Sequence, residues 1–433
     1  MLAACALQCG PLEPNRSVWR QPLARDISLW VIGLLGSLAC CSDSARDLDA
    51  SEHDAGALQP SEAQRLPRNL IVFMGDGMGA EQVAAGRFAA GGRLAMDALN
   101  GPALAVTDSL TTLRIGGDFP PATDSAAAAT WIATGVRVEN DVISISPDET
   151  KLETVLELYK RSGKATGLVT TAAFFDASPA AFASHQLSRS FFPEIVREML
   201  TTAQPEIIMG AGGWLFDDPQ YNLTEAATLG GYAVIRDAAA LADFGASSTE
   251  RLLAMFATDF LPSFLAPDPF TMTPAIERTE NTADPSLLTM TQHALRQLGE
   301  NPQGFFLFAE DEITDQIGHS APGDVAWAKR ALPAQVVALD AAVSYAIEWT
   351  LEHSSFDETL IVVLADHETG GYRFDHTLGP ESGEFRGRDA IGGFHTRAPT
   401  EVRALGPGSQ AVEQIASHGD TYQLLVGTLA PTR

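Results

Sequence analysis

Between residues 69 and 364, short apolar runs alternate with amphipathic segments, and this alternation constrains the fold more than any other feature of the chain. Runs at 69–74, 165–170, 206–209, 231–235, 304–309 and 359–364 have the length and apolar content of strands. Segments 150–162, 191–203, 284–299 and 324–352 read as helices. In the last of these, apolar residues recur at helical spacing through Val325, Leu332, Val336, Leu339 and Val343. Strands that take turns with helices predict an α/β fold, with a mainly parallel central sheet covered by helices on both faces. A chain of 433 residues is long enough to build a stable core without covalent staples.

The chemistry gathers just past the apolar runs, where open α/β sheets bind their ligands. FFLFAEDEITDQIGHS carries Glu310, Asp315 and His319, and LIVVLADHETGGY carries Asp366 and His367. Mixed carboxylate and imidazole donors suit zinc, and all-oxygen sets suit magnesium. NLIVFMGDGMG ends a strand at Gly75-Asp76-Gly77, where the glycines permit a sharp turn and Asp76 can bridge metals. ATDSAAAATWIATG reads as a turn into a helix, with Asp124 and Ser125 at its start. Free backbone N–H groups and the helix dipole there favour an anion, as a phosphorylated Ser125 would be. No histidine neighbours Ser125 in sequence, so its activation must come from a metal. Each feature also has a plainer meaning: Asp-His after a strand is commonly a turn, and a serine before alanines is commonly a cap.

Taken in order, GDG at 75–77, TDSAAAATWIATG at 123–135, DASPAAF at 176–182, E-x4-D-x3-H at 310–319, ADHETGG at 365–371 and FHT at 394–396 resemble the bacterial alkaline phosphatase family. The resemblance runs over about residues 68–430. It implies that Ser125 is the nucleophile and that Arg189 grips the phosphate, oriented by Asp124. It implies a first zinc on Asp315, His319 and His395, and a second on Asp76, Asp366 and His367. It also implies a magnesium on Asp76, Ser178 and Glu310, and Asp176, two residues from Ser178, could hold one of its waters. The expected cofactors are therefore two Zn2+ and one Mg2+ per chain. Four positions depart from the family. Ser178 stands where many members have threonine, Asp311 and Glu312 replace small residues, and Gln316 sits at a variable place. His53, His293, His353 and His376 match no motif and read as solvated, and His185 and His418 fall outside the ligand positions.

Arg16, Arg20 and Arg25, the apolar run 27–39 and the pair Cys40-Cys41 read as a secretory signal, with Cys40 or Cys41 a candidate for lipid attachment. The expected organisation is a leader at 1–41, an acidic flexible linker at 42–67 and a catalytic domain at 68–433. All four cysteines lie in the leader, so the catalytic region has no internal disulfide. The Pro- and Thr-rich stretch 259–283 and the loop 373–393 read as surface excursions over the site. A formal net charge of −27 repels nucleic acid and anionic membranes, so no nucleic-acid binding is expected beyond use as substrate. Attraction of a phosphate must then be local.

These readings describe an exported, metal-dependent enzyme that hydrolyses phosphate monoesters through a phosphoserine and releases inorganic phosphate. The alternatives are a phosphodiesterase of the same superfamily and a non-catalytic metal- or phosphate-binding lipoprotein. A sulfatase is disfavoured, because Ser125 lacks the Pro and Arg that its cofactor needs. Members of the family often form homodimers, although no interface signature is visible in this chain.

Overall fold

The computed structural model describes residues 66–111, 122–245, 250–256, 284–321, 323, 325–379, 383–386 and 395–429. The predicted leader and nearly all of the linker, and the excursion at 259–283, lie outside these residues. The six predicted runs are all strands: β1 (Asn69–Gly75), β3 (Ala165–Ala173), β4 (Ile207–Ala211), β5 (Tyr232–Ile235), β7 (Phe305–Asp311) and β8 (Thr359–Leu364). Three strands of the central sheet were not predicted: β2 (Asn100–Ala105), β6 (Arg251–Met255) and β13 (Thr400–Leu405). β2 reads NGPALA, with its first three residues exposed, so it carries almost no apolar signal. It holds its place at the sheet edge, where glycine and proline are tolerated.

The nine strands form one sheet in the order β2-β13-β8-β1-β7-β3-β4-β6-β5. Neighbours from β8 to β5 are all parallel, and β13 is antiparallel to both β8 and β2. Successive residues of β1 and β7 serve opposite faces, and both faces are buried. Leu70, Val72, Met74, Phe306 and Phe308 join one core with Ile132, Phe182 and Leu424. Ile71, Phe73, Phe305 and Leu307 join the other with Val83, Leu295, Leu332 and Val336. Burial on both sides is why these strands are continuously apolar. Phe182 and Phe308 stack with ring centroids 4.5 Å apart. Truncating Phe308 to alanine would cost roughly 3–5 kcal/mol.

The predicted helices are Val155–Arg161, Leu287–Leu298, Val325–His353 and a composite that passes from Phe192–Glu198 into a π-turn at Met199–Ala203. Leu332, Val336, Leu339 and Val343 are buried as their spacing required, but Val325 is exposed at the first turn. His293 was expected to be solvated and is instead buried within Leu287–Leu298, where burial lowers its pKa to about 4. His353 and His376 are exposed, as read. In the loop at 373–393, the short strands β10 (Tyr372–Arg373) and β11 (Glu384–Phe385) pair as an antiparallel hairpin. Two further short strands, β9 (Glu368–Thr369) and β12 (His395–Thr396), also pair antiparallel, with His395 opposite Thr369.

Candidate active site

Four adjacent strands, β8, β1, β7 and β3, end side by side, and their registers decide which side chains meet. Met74 and Thr170 both lie beside Glu310, and Met74 lies beside Leu364. Asp76 and Asp366 therefore emerge just beyond β1 and β8 on the same edge as Glu310. Gly77 completes the turn after Asp76 with a positive φ of 67°. Its N–H donates to Asp366 Oδ1 at 3.1 Å, and the His367 N–H donates to the same oxygen at 2.8 Å. The β9–β12 pair then brings His395 back over His367, and the two rings stack with centroids 3.6 Å apart.

Ser125 is the first residue of the helix Ser125–Thr134, and Asp124 is its N-cap, accepting from the Ala127 N–H at 3.0 Å. The Ser125 hydroxyl is nearly buried and lies 3.2 Å from His367 Nε2. The histidine absent from its sequence neighbourhood is thus supplied by the fold. Arg189 reaches the same mouth. Its Nη2 donates to Asp176 Oδ1 at 2.8 Å, and its Nη1 approaches Asp124 Oδ2 at 3.5 Å. Asp176 is therefore the closer of the two orienting carboxylates, a role expected of Asp124. The neighbouring carboxylates outweigh the burial of the Arg189 guanidinium, and its charge is held more firmly than usual.

Three groups of donors converge. Asp315 Oδ2 and His319 Nε2 are 3.2 Å apart, His319 Nε2 and His395 Nε2 are 3.1 Å apart, and His395 Nε2 and Asp315 Oδ1 are 3.5 Å apart. His319 is 40% exposed and stands at the rim. His395 Nδ1–H donates to the Thr123 carbonyl at 2.8 Å, which leaves Nε2 as a lone-pair donor. In the second group, His367 Nε2 lies 3.1 Å from Asp366 Oδ2 and 3.6 Å from Asp76 Oδ1. Ligand atoms of the third group, Asp76, Glu310 and Glu312, lie within 4.8 Å of one another. Ser178 is buried in the helix Ala177–Ala183, with its side chain beside Glu310.

Cations would supply partners to several of these atoms. Asp76 Oδ1, Asp366 Oδ2, Glu310 Oε1 and Ser178 Oγ are buried without a hydrogen-bond partner. Unpaired buried oxygens are costly. Burial, with Asp366 adding repulsion, pushes the Asp76 carboxyl well above the usual range. Burial likewise pushes Glu310 up to about 8 and Asp366 up to about 7. His367 is driven the other way by burial and by His395, and stays neutral. Asp315 is held well below the usual range: burial opposes this, but the facing imidazoles of His319 and His395 prevail. Neutral imidazole nitrogens and crowded carboxylates are what divalent ions require, so this donor set fits metals.

Sequence reasoning missed several supporting residues. Thr170 donates to Glu310 Oε2 at 2.6 Å, and Thr369 donates to Asp315 Oδ1 at 2.5 Å. His418, which falls outside the expected ligand positions, is fully buried and its Nε2–H donates to the Asp366 carbonyl at 2.8 Å. Thr369 lies in the ADHETGG run and could have been suspected from its position. Thr170 and His418 act across the sheet and have no local signal.

Comparison with known proteins agrees with this picture. The family model described as alkaline phosphatase matches residues 67–387. Alkaline phosphatase 4 of Bacillus subtilis is 32% identical over 314 residues, which cover 70% of this chain and 62% of that protein. The alkaline phosphatase of Escherichia coli strain K12 is 30% identical over 354 residues, covering 72% of each. The solved alkaline phosphatase of the Antarctic bacterium TAB5 superposes with a TM-score of 0.67 at 21% identity, over 84% of this chain and 98% of that one, a likeness of fold.

Proposed function

The chain belongs to the alkaline phosphatase family of phosphomonoesterases, and we propose that it hydrolyses phosphate monoesters through a covalent phosphoserine on Ser125. The observation that carries this reading is the placement of the Ser125 hydroxyl, at a helix N-terminus, against the His367 face of the buried donor groups. A serine that served only as a cap would not need to face a metal-ligand cluster.

The donor types support two zinc ions and one magnesium. Asp315, His319 and His395 would hold one zinc, and Asp76, Asp366 and His367 the other, since both sets include imidazole nitrogen. Asp76, Ser178 and Glu310, all oxygen donors, would hold magnesium. When bound, such ions supply Lewis-acid stabilisation of the oxygens in phosphoryl transfer and lower the pKa of a hydroxyl.

The chain's own residues bind and align the ester. The Arg189 fork matches two phosphoryl oxygens, and Asp176 and Asp124 hold that fork in place. This pairing with oxygens that a diester would block favours monoesters over diesters. Ser125 Oγ forms a bond to phosphorus as the ester P–O bond breaks, and the hydroxyl proton ends on the departing alcohol. Backbone N–H groups at the start of Ser125–Thr134 face the resulting phosphoserine. Water then forms a new P–O bond as the Oγ–P bond breaks. Inorganic phosphate is released and the Ser125 hydroxyl is restored.

The decisive variant is Ser125→Ala. Turnover of p-nitrophenyl phosphate should fall by several orders of magnitude while zinc content stays unchanged. Acid quenching of the wild type with labelled phosphate should trap label on the peptide containing Ser125. Label on another residue, or undiminished turnover in the variant, defeats the mechanism. The leader sequence supports export, with anchoring by lipid at Cys40 or Cys41.

A further inference from the structure

Glu312 lies in the third donor group, yet it has no part in the three ion sets proposed above. It occupies the junction between β7 and the helix Ile313–Ser320, and its side chain does not cap that helix. The residue is 6% exposed. Its backbone N–H donates to Thr171 Oγ1 at 3.0 Å, which fixes the main chain against β3. One helical turn later, Gln316 Nε2 donates to Glu312 Oε1 at 2.8 Å. The carboxylate is thereby turned toward Asp76 and Glu310, and its ligand oxygen lies within 4.8 Å of theirs.

Three buried carboxylates can stay ionised together only with a compensating charge. Arg189 is engaged by Asp176 and Asp124. Asp76 Oδ1, Glu310 Oε1 and Ser178 Oγ are buried and lack hydrogen-bond partners, so unsatisfied oxygens accompany Glu312 here. A small residue at this position could donate nothing to an ion.

We infer that Glu312 is a direct ligand of the third, all-oxygen ion site, joining Asp76, Glu310 and Ser178 in a set with three carboxylates. Gln316 aims it by holding Oε1, which leaves the other oxygen for the cation. The set selects a hard divalent cation of the magnesium class. A third carboxylate takes a place that water would otherwise fill and adds a negative charge, so the ion is held more tightly than by Asp76, Glu310 and Ser178 alone. The inference rests on the third-site reading proposed above and extends it by one residue.

Calorimetric titration of Mg2+ into the full chain loaded with zinc tests it, with zinc content measured in parallel. Glu312→Gln should weaken Mg2+ binding by at least roughly tenfold, the lower end for losing even an outer partner of a metal ligand. Its zinc content should stay at the wild-type level. Glu312→Asp keeps the charge but shortens the reach, and it should weaken binding comparably. Wild-type Mg2+ affinity in Glu312→Gln overturns the inference, as does wild-type affinity in Glu312→Asp, which would reduce Glu312 to a distant charge. If Glu312→Gln fails to keep its zinc, Glu312→Asp alone decides. Glu310→Gln separates this proposal from the one beneath it. Lost Mg2+ binding there with none lost at Glu312 rejects Glu312 only, whereas unchanged binding in both rejects the third site itself.

Discussion

Removing the His185 ring should make the protein's stability lose part of its dependence on pH. His185 Nδ1 lies 3.0 Å from Glu198 Oε1, and Nε2 lies 2.9 Å from the Leu152 carbonyl. Both partners are acceptors, so both ring nitrogens must carry protons and the ring must be charged. Burial opposes that charge, but the hydrogen bonds to Glu157 and Glu198 prevail and raise the His185 pKa from 6.5 to about 9. That difference is a factor of roughly 300 in proton affinity, or on the order of 3 kcal/mol. Because the folded value lies above the unfolded one, this stability is complete below pH 6.5 and is lost as pH rises through about 9. Glu198 moves oppositely. Burial opposes ionisation, but His185 and Lys151 hold its pKa down from 4.5 to about 2, so its contribution is present above pH 4.5 and is lost as pH falls through about 2. The pair acts fully between pH 4.5 and 6.5, and its two shifts describe one interaction that must not be counted twice. The assay is the urea midpoint of wild type and His185→Gln at about pH 6 and about pH 10, with zinc and magnesium saturating. The stability gap should shrink by about 3 kcal/mol between those conditions. A gap that stays constant with pH would refute the claim that the ring is charged. The consequence reaches the active site, because His185 begins the segment that ends at Arg189, where the Arg189 N–H donates to the Asp141 carbonyl at 2.7 Å.

Three further outcomes are expected. Arg189→Ala should weaken inhibition by inorganic phosphate by roughly 2–4 kcal/mol, with a smaller effect on diester turnover; an unchanged inhibition constant means that the arginine does not touch phosphate. Gly77→Ala should lower both zinc content and melting temperature, since a Cβ there would sit 2.8 Å from Asp315 Cα on a backbone with φ +67°. Full zinc retention in that variant shows that the turn can yield without moving Asp76. Replacing Cys40 and Cys41 together by serine should release the expressed protein from the detergent phase or stall its processing, and a wild type that never enters the detergent phase removes the anchor.

Most of the sheet was legible because parallel strands buried on both faces are unbroken apolar runs. The strands that escaped notice lie toward the edges or interrupt that rule. β13 reads TEVRAL, and it runs antiparallel between β8 and β2 with Glu401 and Arg403 paired to each other at 3.0 Å. Its polar residues are satisfied by one another, which a search for apolar runs does not detect. β2 owes its strand state to β13 rather than to its own residues.

The site divides along the same line. Asp76, Asp366, His367 and Glu310 could be read because each follows or closes a strand whose position the sequence specifies, and Asp315 because it lies in the first turn of the helix after β7. What could not be read is how those groups are aimed, since aiming comes from contacts between distant segments. Thr123 and His395 are 272 positions apart, and the hydrogen bond between them decides which imidazole nitrogen faces Asp315. Thr170 and Glu310, 140 positions apart, meet only through the β3–β7 register. Glu312 shows the limit most clearly. In sequence it is one more acidic residue in EDEITD, and Asp311 beside it has the same charge. The pleat turns them apart: Asp311 accepts from Gln335 at 2.6 Å among the helices, while Glu312 sits with Asp76 and Glu310. Neighbouring carboxylates of equal charge thus receive different tasks from the face to which the backbone turns them.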